Sequence, residues 1–215
     1  MSTPPRIAVV DYGAGNLKSV AKALLRSGLA PEVTADPAAV RAAQAVVLPG
    51  VGAFADAVAN LRNSGLADAV LASIEAGRPY LGICLGLQVL FDESDEYGRT
   101  QGLGWLRGRV ERFADVDAAG RPLRVPHIGW NRVVFDEGHA MCAQLPREDS
   151  FYFVHSYRAV PAQASLSVGR TEYGGEFAAA IARDNVFAVQ FHPEKSQSAG
   201  RRVLDAFAAW VASCA

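Results

Sequence analysis

Short, wholly apolar runs alternate with longer stretches of helical period along the N-terminal part of the chain. Ile7-Ala8-Val9-Val10 reads as a buried strand, and Gly13-Ala14-Gly15-Asn16 turns it into an amphipathic helix predicted to run to about Ser27. Glu32-Val33-Thr34 and Ala45-Val46-Val47-Leu48 are the next two strands, and Pro49-Gly50-Val51-Gly52 breaks the second of them. Helical periodicity then covers Phe54 to Ala76, interrupted near Ser64-Gly65, and a further apolar run, Tyr80-Leu81-Gly82-Ile83, leads into Cys84. Strands separated by helices predict a parallel sheet covered on both faces. From about Arg109 the pattern changes to short strand-like runs between turn residues, at 110–113, 132–135, 151–154, 166–170, 178–182 and 187–190, before a last helix near Ala199 to Ala212. Residues 114–124 read as a hairpin or surface loop. The expectation is a single α/β domain over residues 1–215, with a mixed, mostly parallel central sheet flanked by helices.

Composition narrows the setting. The 215 residues are 50% hydrophobic and 20% charged, as in a globular protein; a net charge of −1 gives no reason to invoke nucleic acid or an anionic membrane, and no run of the sequence resembles a basic patch. No run is long enough to span a bilayer, and the first residues do not read as a signal peptide, so a cytoplasmic location is expected. Three cysteines, Cys84, Cys142 and Cys214, form no disulfide framework, and His139 with Cys142 has no second pair to complete a metal site. No cofactor is expected either. Gly13-Ala14-Gly15-Asn16-Leu17-Lys18 resembles a dinucleotide loop only in part, because Lys18 stands where close helix–strand packing needs a small residue.

The candidate chemistry centres on Cys84, in Gly82-Ile83-Cys84-Leu85-Gly86-Leu87-Gln88. Glycines at equal offsets around a thiol, at the junction of a strand and a helical pattern, predict a sharp turn that presents a nucleophile and lets backbone approach closely. The start of the helix favours the thiolate. A thiol nucleophile needs a base, and the base a group to orient it. His192-Pro193-Glu194 supplies both, because proline holds His192 extended and Glu194 is placed on the same side of an extended chain. Both Cys84 and His192 are expected at the C-terminal edge of the sheet, where open α/β sheets bind their ligands. Gly50 and Gly52 there permit backbone N–H groups to point into the crevice, although a plain turn fits the local sequence equally well. His155 and His127, without a neighbouring carboxylate, read as structural.

Cys84 in its glycine frame together with His192-Pro193-Glu194 resembles the class I, triad-type glutamine amidotransferases. Asp11-Tyr12-Gly13-Ala14-Gly15-Asn16, Leu48-Pro49-Gly50-Val51-Gly52-Ala53-Phe54, Pro126-His127-Ile128-Gly129-Trp130-Asn131, Tyr152-Phe153-Val154-His155-Ser156-Tyr157 and the segment from Gln190 to Gln197 narrow the resemblance. They are similar to the glutaminase-subunit family of imidazole glycerol phosphate synthase. Leu87 and Ile128 stand where that family pattern has methionine, both near volume-conserving exchanges. The resemblance implies a Cys84–His192–Glu194 triad and an oxyanion site from backbone around Gly50, Val51, Gly52 and Leu85. It also implies glutamine binding by Gln88, Ser156 and Tyr157. Ammonia would pass to a (β/α)8-barrel cyclase partner, in a heterodimer, for synthesis of imidazole glycerol phosphate and AICAR in histidine biosynthesis. Trp130, Asn131 and Lys195 would lie at that interface. The alternatives are a glutaminase serving another acceptor, of the anthranilate or pyridoxal phosphate synthase type, and a catalytically inactive interaction subunit.

Overall fold

The computed structural model describes residues 4–214. In chain order the elements are β1 (Arg6–Val10), α1 (Leu17–Arg26), β2 (Ala30–Thr34), α2 (Pro37–Ala42), β3 (Ala45–Gly50), α3 (Phe54–Asn63), α4 (Leu66–Glu75), β4 (Tyr80–Cys84) and α5 (Leu85–Gln88). There follow β5 (Phe91–Ser94), β6 (Thr100–Gln101), β7 (Leu106–Arg112), β8 (His127–Phe135), β9 (Glu148–His155) and β10 (Tyr157–Pro161). The chain ends with β11 (Ser167–Glu172), β12 (Glu176–Arg183), β13 (Val186–Val189) and α6 (Gln197–Ser213).

A nine-stranded sheet in the order β2-β1-β3-β4-β13-β12-β11-β8-β9 forms the centre. Its first five strands are parallel, and the others pair antiparallel. The parallel strands read as continuous apolar runs because both faces are covered. Alternate residues serve opposite faces: Ile7, Val9, Leu81, Ile83, Phe187 and Val189 pack with Leu24 of α1 and Val203 and Phe207 of α6. Ala8, Val10, Val46, Leu48 and Tyr80 pack with Val40, Val58, Leu61 and Val70 of α2, α3 and α4.

Two expectations change. A separate four-stranded sheet, β10-β7-β5-β6, packs under α3 and α5, where a single sheet was expected. The apolar pattern shows nothing of α2, β5, β6 or β10. Helical structure after Cys84 lasts one turn, Leu85–Gln88, because Phe91 onward pairs with Leu106 in the small sheet. The 114–124 segment is a loop pinched by a bridge between Val116 and Pro122, in line with the hairpin reading.

Candidate active site

Strand β4 lies between β3 and β13 and delivers Cys84 at the C-terminal edge of the parallel strands. Cys84 has φ 55° and ψ −107°, a conformation that side chains rarely adopt and that projects the thiol out of the strand. The flanking glycines make the turn possible. A Cβ on Gly86 would lie 1.8 Å from the Leu48 carbonyl oxygen, and one on Gly82 2.6 Å from that of Gly86. The Tyr80 hydroxyl donates to the Gly86 carbonyl at 2.7 Å and ties the turn to β4.

His192 arrives just beyond β13, the neighbour of β4. It is extended, as a residue before proline should be, at φ −106° and ψ 97°. Glu194 meets the ring by a different route from the expected extended strand: Pro193–Lys195 is a 3-10 turn, and the turn carries Glu194 back beside His192. His192 Nδ1 donates to Glu194 Oε1 at 2.9 Å, with both side chains buried. Ser196 locks the turn, its hydroxyl donating to the His192 carbonyl and accepting from Tyr152 N–H. Burial opposes the imidazolium, but the neighbouring Cys84 and the bond to Glu194 outweigh it and raise the His192 pKa to about 9. The far ring nitrogen, Nε2, makes no hydrogen bond in this resting geometry. Contacts of this kind commonly tighten only when substrate is bound.

Cys84, His192, Val51, Gly52, Leu85, Gln88, Ser156, Tyr157 and Lys195 line one cleft of about 420 Å³. A hollow of about 540 Å³ bounded by Asp136, Cys142 and Arg147 shares no residue with it. The clustering of nucleophile, histidine and carboxylate, rather than volume, selects the first. Gly50 sits at the end of β3 opposite Cys84, and a Cβ there would meet the Tyr12 hydroxyl at 2.3 Å. Gly52 has φ +98°, and the Val51 side chain is exposed. Trp130 is half exposed on β8, and Lys195 lies with its ammonium 5.9 Å from the centre of the Tyr152 ring. Asn131, by contrast, turns its amide inward, donating to the Glu172 carbonyl at 2.9 Å.

Two groups, one buried behind the cleft and one in its wall, carry no role in the sequence reading. Gln190, fully buried, directs its amide Nε2 at Cys84 Sγ from 3.5 Å. In the sequence it stands only as the first residue of the 190–197 segment, two residues before His192, with no role of its own. Glu96 accepts the Phe54 N–H at 2.6 Å, and partial burial raises its pKa. It follows β5, the strand that the apolar pattern failed to show.

The model for "Glutamine amidotransferase class-I" matches residues 8–209. A protein from Moorella thermoacetica described as "Imidazole glycerol phosphate synthase subunit HisH" is 53% identical over 201 residues, covering 94% of this chain and 93% of its own. The protein of that description from Methylococcus capsulatus is 51% identical over 209 residues, 95% and 96% of the two chains. Among solved structures, the glutaminase domain of Trypanosoma brucei CTPS with bound acivicin superposes with a TM-score of 0.70 at 17% identity, covering 97% of this chain and 94% of that one. A chain of PurLQS from Thermotoga maritima gives 0.71 at 20% identity, covering 97% and 99%, and both agree with this chain in fold. With a strand-end thiol, a buried histidine–carboxylate pair and relatives alike over nearly their whole length, the chain belongs to the class I glutamine amidotransferases and, within them, to the HisH subunits of imidazole glycerol phosphate synthase.

Proposed function

We propose that this chain hydrolyses glutamine at Cys84 and passes the ammonia to a (β/α)8-barrel cyclase partner that forms imidazole glycerol phosphate and AICAR. The observation that carries the reading is the convergence of Cys84, held at positive φ, with the buried His192–Glu194 pair in one cleft. The Cys84 thiolate attacks the side-chain carboxamide carbon, and the C=O π pair moves onto oxygen. The imidazolium of His192 protonates the nitrogen, the C–N bond breaks and ammonia leaves a glutamyl thioester. Now neutral, His192 takes a proton from water, whose oxygen attacks the thioester. Collapse expels the thiolate and releases glutamate. Glu194 fixes the ring and favours its charged form. Backbone N–H groups of Leu85 and of Val51 or Gly52 serve the oxyanion, and Gln88, Ser156 and Tyr157 hold the glutamine.

Ammonia released into water is protonated and lost as a nucleophile, which supports direct delivery to a docked partner. Trp130 and Lys195 are the proposed contacts, with Asn131 behind them. The fitting compartment is the cytoplasm: all three cysteines are free, and among the described residues no helix is long and apolar enough to cross a membrane. The test is glutamate release by the chain with its barrel partner. Cys84→Ala is expected to lose roughly a thousand-fold or more in rate. Retained activity in that variant would overturn the mechanism.

A further inference from the structure

Behind the cleft wall, a continuous series of hydrogen bonds runs from β8 to the nucleophile. Asn131 Nδ2 lies 2.9 Å from the Glu172 carbonyl and 3.3 Å from His127 Nε2, while Asn131 Oδ1 accepts the Arg132 N–H at 2.8 Å. His127 Nδ1 is 3.1 Å from His155 Nε2, and His155 Nδ1 is 2.7 Å from the Tyr157 carbonyl. That carbonyl also accepts from Gln88 Nε2 at 3.0 Å. The second proton of Gln88 Nε2 goes to Gln190 Oε1 at 2.9 Å, and Gln190 Nε2 points at Cys84 Sγ.

Proton positions follow from the two ends. Carbonyl oxygens only accept, so the Glu172 carbonyl makes the near Asn131 atom a donor, and the Tyr157 carbonyl makes His155 Nδ1 a donor. His127 Nε2 must then accept from Asn131, which leaves its proton on Nδ1, and His155 Nε2 accepts that proton. Both rings are neutral and carry hydrogen on Nδ1. Every donor points the same way, from Asn131 toward Tyr157, and no other arrangement of neutral rings satisfies both ends. Protonating either ring would set donor against donor at one of the three ring contacts or leave a charge among Phe113, Phe153, Tyr173 and Phe177. Burial holds both rings neutral, His127 near 4 and His155 near 3.

We propose that His127 and His155 are positioning residues of the glutaminase reaction, forming a one-directional relay that sets the Tyr157 carbonyl and Gln88 against Cys84 according to the state of Asn131 on β8. The proposal rests on the glutaminase reading of the cleft. Its sense of direction makes a specific prediction. Asn131→Asp keeps the side-chain shape but replaces the outer donor with an acceptor, so His127 must carry its proton on Nε2. His155 then cannot donate to Tyr157 without taking up a second proton, which burial opposes. Asn131→Leu only removes the donor.

The experiment combines ¹⁵N NMR of the histidine side chains with the rate at which acivicin labels Cys84 in the full chain, iodoacetamide serving as a reagent that needs no glutamine pocket. In the unsubstituted chain both rings are expected as neutral Nδ1–H tautomers. Asn131→Asp is expected to slow acivicin labelling roughly five- to ten-fold, Asn131→Leu less, and neither to alter iodoacetamide labelling. A merely structural Asn131 gives the opposite order, leucine being the worse fit. Nε2–H tautomers in the unsubstituted chain, the leucine variant slower than the aspartate one, or acivicin labelling indifferent to Asn131→Asp would each overturn the relay alone. Failure of acivicin to label the unsubstituted chain bound to its barrel partner would overturn the glutaminase reading and the relay with it.

Discussion

At the scale of single residues, the cleft separates its ionisable groups by what surrounds them. His155 and His127, enclosed by aromatic rings, are held neutral, whereas His192, equally buried, is pushed up to about 9 by Cys84 and Glu194. The imidazolium of His192 therefore persists through neutral pH and is lost as pH rises through about 9. Because that proton leaves with ammonia, kcat/KM for glutamine is expected to fall on the alkaline side near that value, measured as the pH dependence of glutamate release. Glu194→Gln removes the carboxylate that favours the charged ring. The alkaline limb should then move to lower pH, with a loss of roughly ten- to a hundred-fold at the plateau. A limb that stays in place would show that Glu194 does not hold the proton on His192. The same raised value has a consequence for stability. The contribution of the His192–Glu194 pair is complete below the ordinary histidine value of about 6.5 and is lost as pH climbs through 9.

At the scale of elements, glycines decide how closely backbone segments approach the site. Gly200, in the first turns of α6, lies so near the His192–Glu194 turn that a Cβ would sit 1.8 Å from the Pro193 carbonyl oxygen. Its N–H donates to the Ser196 carbonyl at 2.9 Å, so helix and turn form one unit. Gly200→Ala improves helix propensity by up to about 1 kcal/mol, but the overlap costs more, on the order of 1–3 kcal/mol of stability. Thermal unfolding should show a net loss, and glutaminase activity should fall with it as the His192 turn is displaced. The parallel half of the fold was legible in the sequence because β1, β3, β4 and β13 are buried on both faces and so are continuously apolar. Strand β5 was not, since Phe91-Asp92-Glu93-Ser94 buries only its ends, and Asp92 spends its charge capping Gly108 N–H. The pairing of His192 with Glu194 was foreseen but its cause was not. Here an extended His192 running into a 3-10 turn brings residues two apart together as a strand would, and the sequence of three residues does not distinguish the two. Gln190 was illegible for another reason: a buried glutamine in a strand-end run acquires meaning only from what β4 and α5 place opposite it.

At the scale of the whole molecule, Cys84 and His192 share one edge of the parallel strands, and β9, the partner of β8, reaches that edge where its Tyr152 carbonyl accepts the His192 N–H at 3.0 Å. The side chains of β8 alternate: His127 and Asn131 turn inward, while Ile128 and Trp130 turn out, 60% and 50% exposed. Two large apolar side chains on one face of a strand that starts next to Pro126 in the cleft wall suit the buried centre of a protein–protein contact better than a solvated surface. Trp130 is braced by Tyr152 directly across the strand pair, with the rings edge to face at 6.3 Å. It is thus presented without being part of the core, and truncating it should cost the fold only about 1–2 kcal/mol, well short of a core aromatic. An aromatic anchor at the centre of an interface is worth about 2 kcal/mol or more, so Trp130→Ala should weaken association with the barrel partner by roughly thirty-fold, read by titration calorimetry. Unchanged affinity would move the interface off β8. Because Trp130 and Asn131 are adjacent on this strand, a partner that seats on the first must also bear on the backbone that aims the second. Trp130→Ala should therefore slow glutamate release at saturating partner as well as weaken the affinity, since a partner held without its anchor loses its grip on the outer end of the chain of bonds that reaches Gln88.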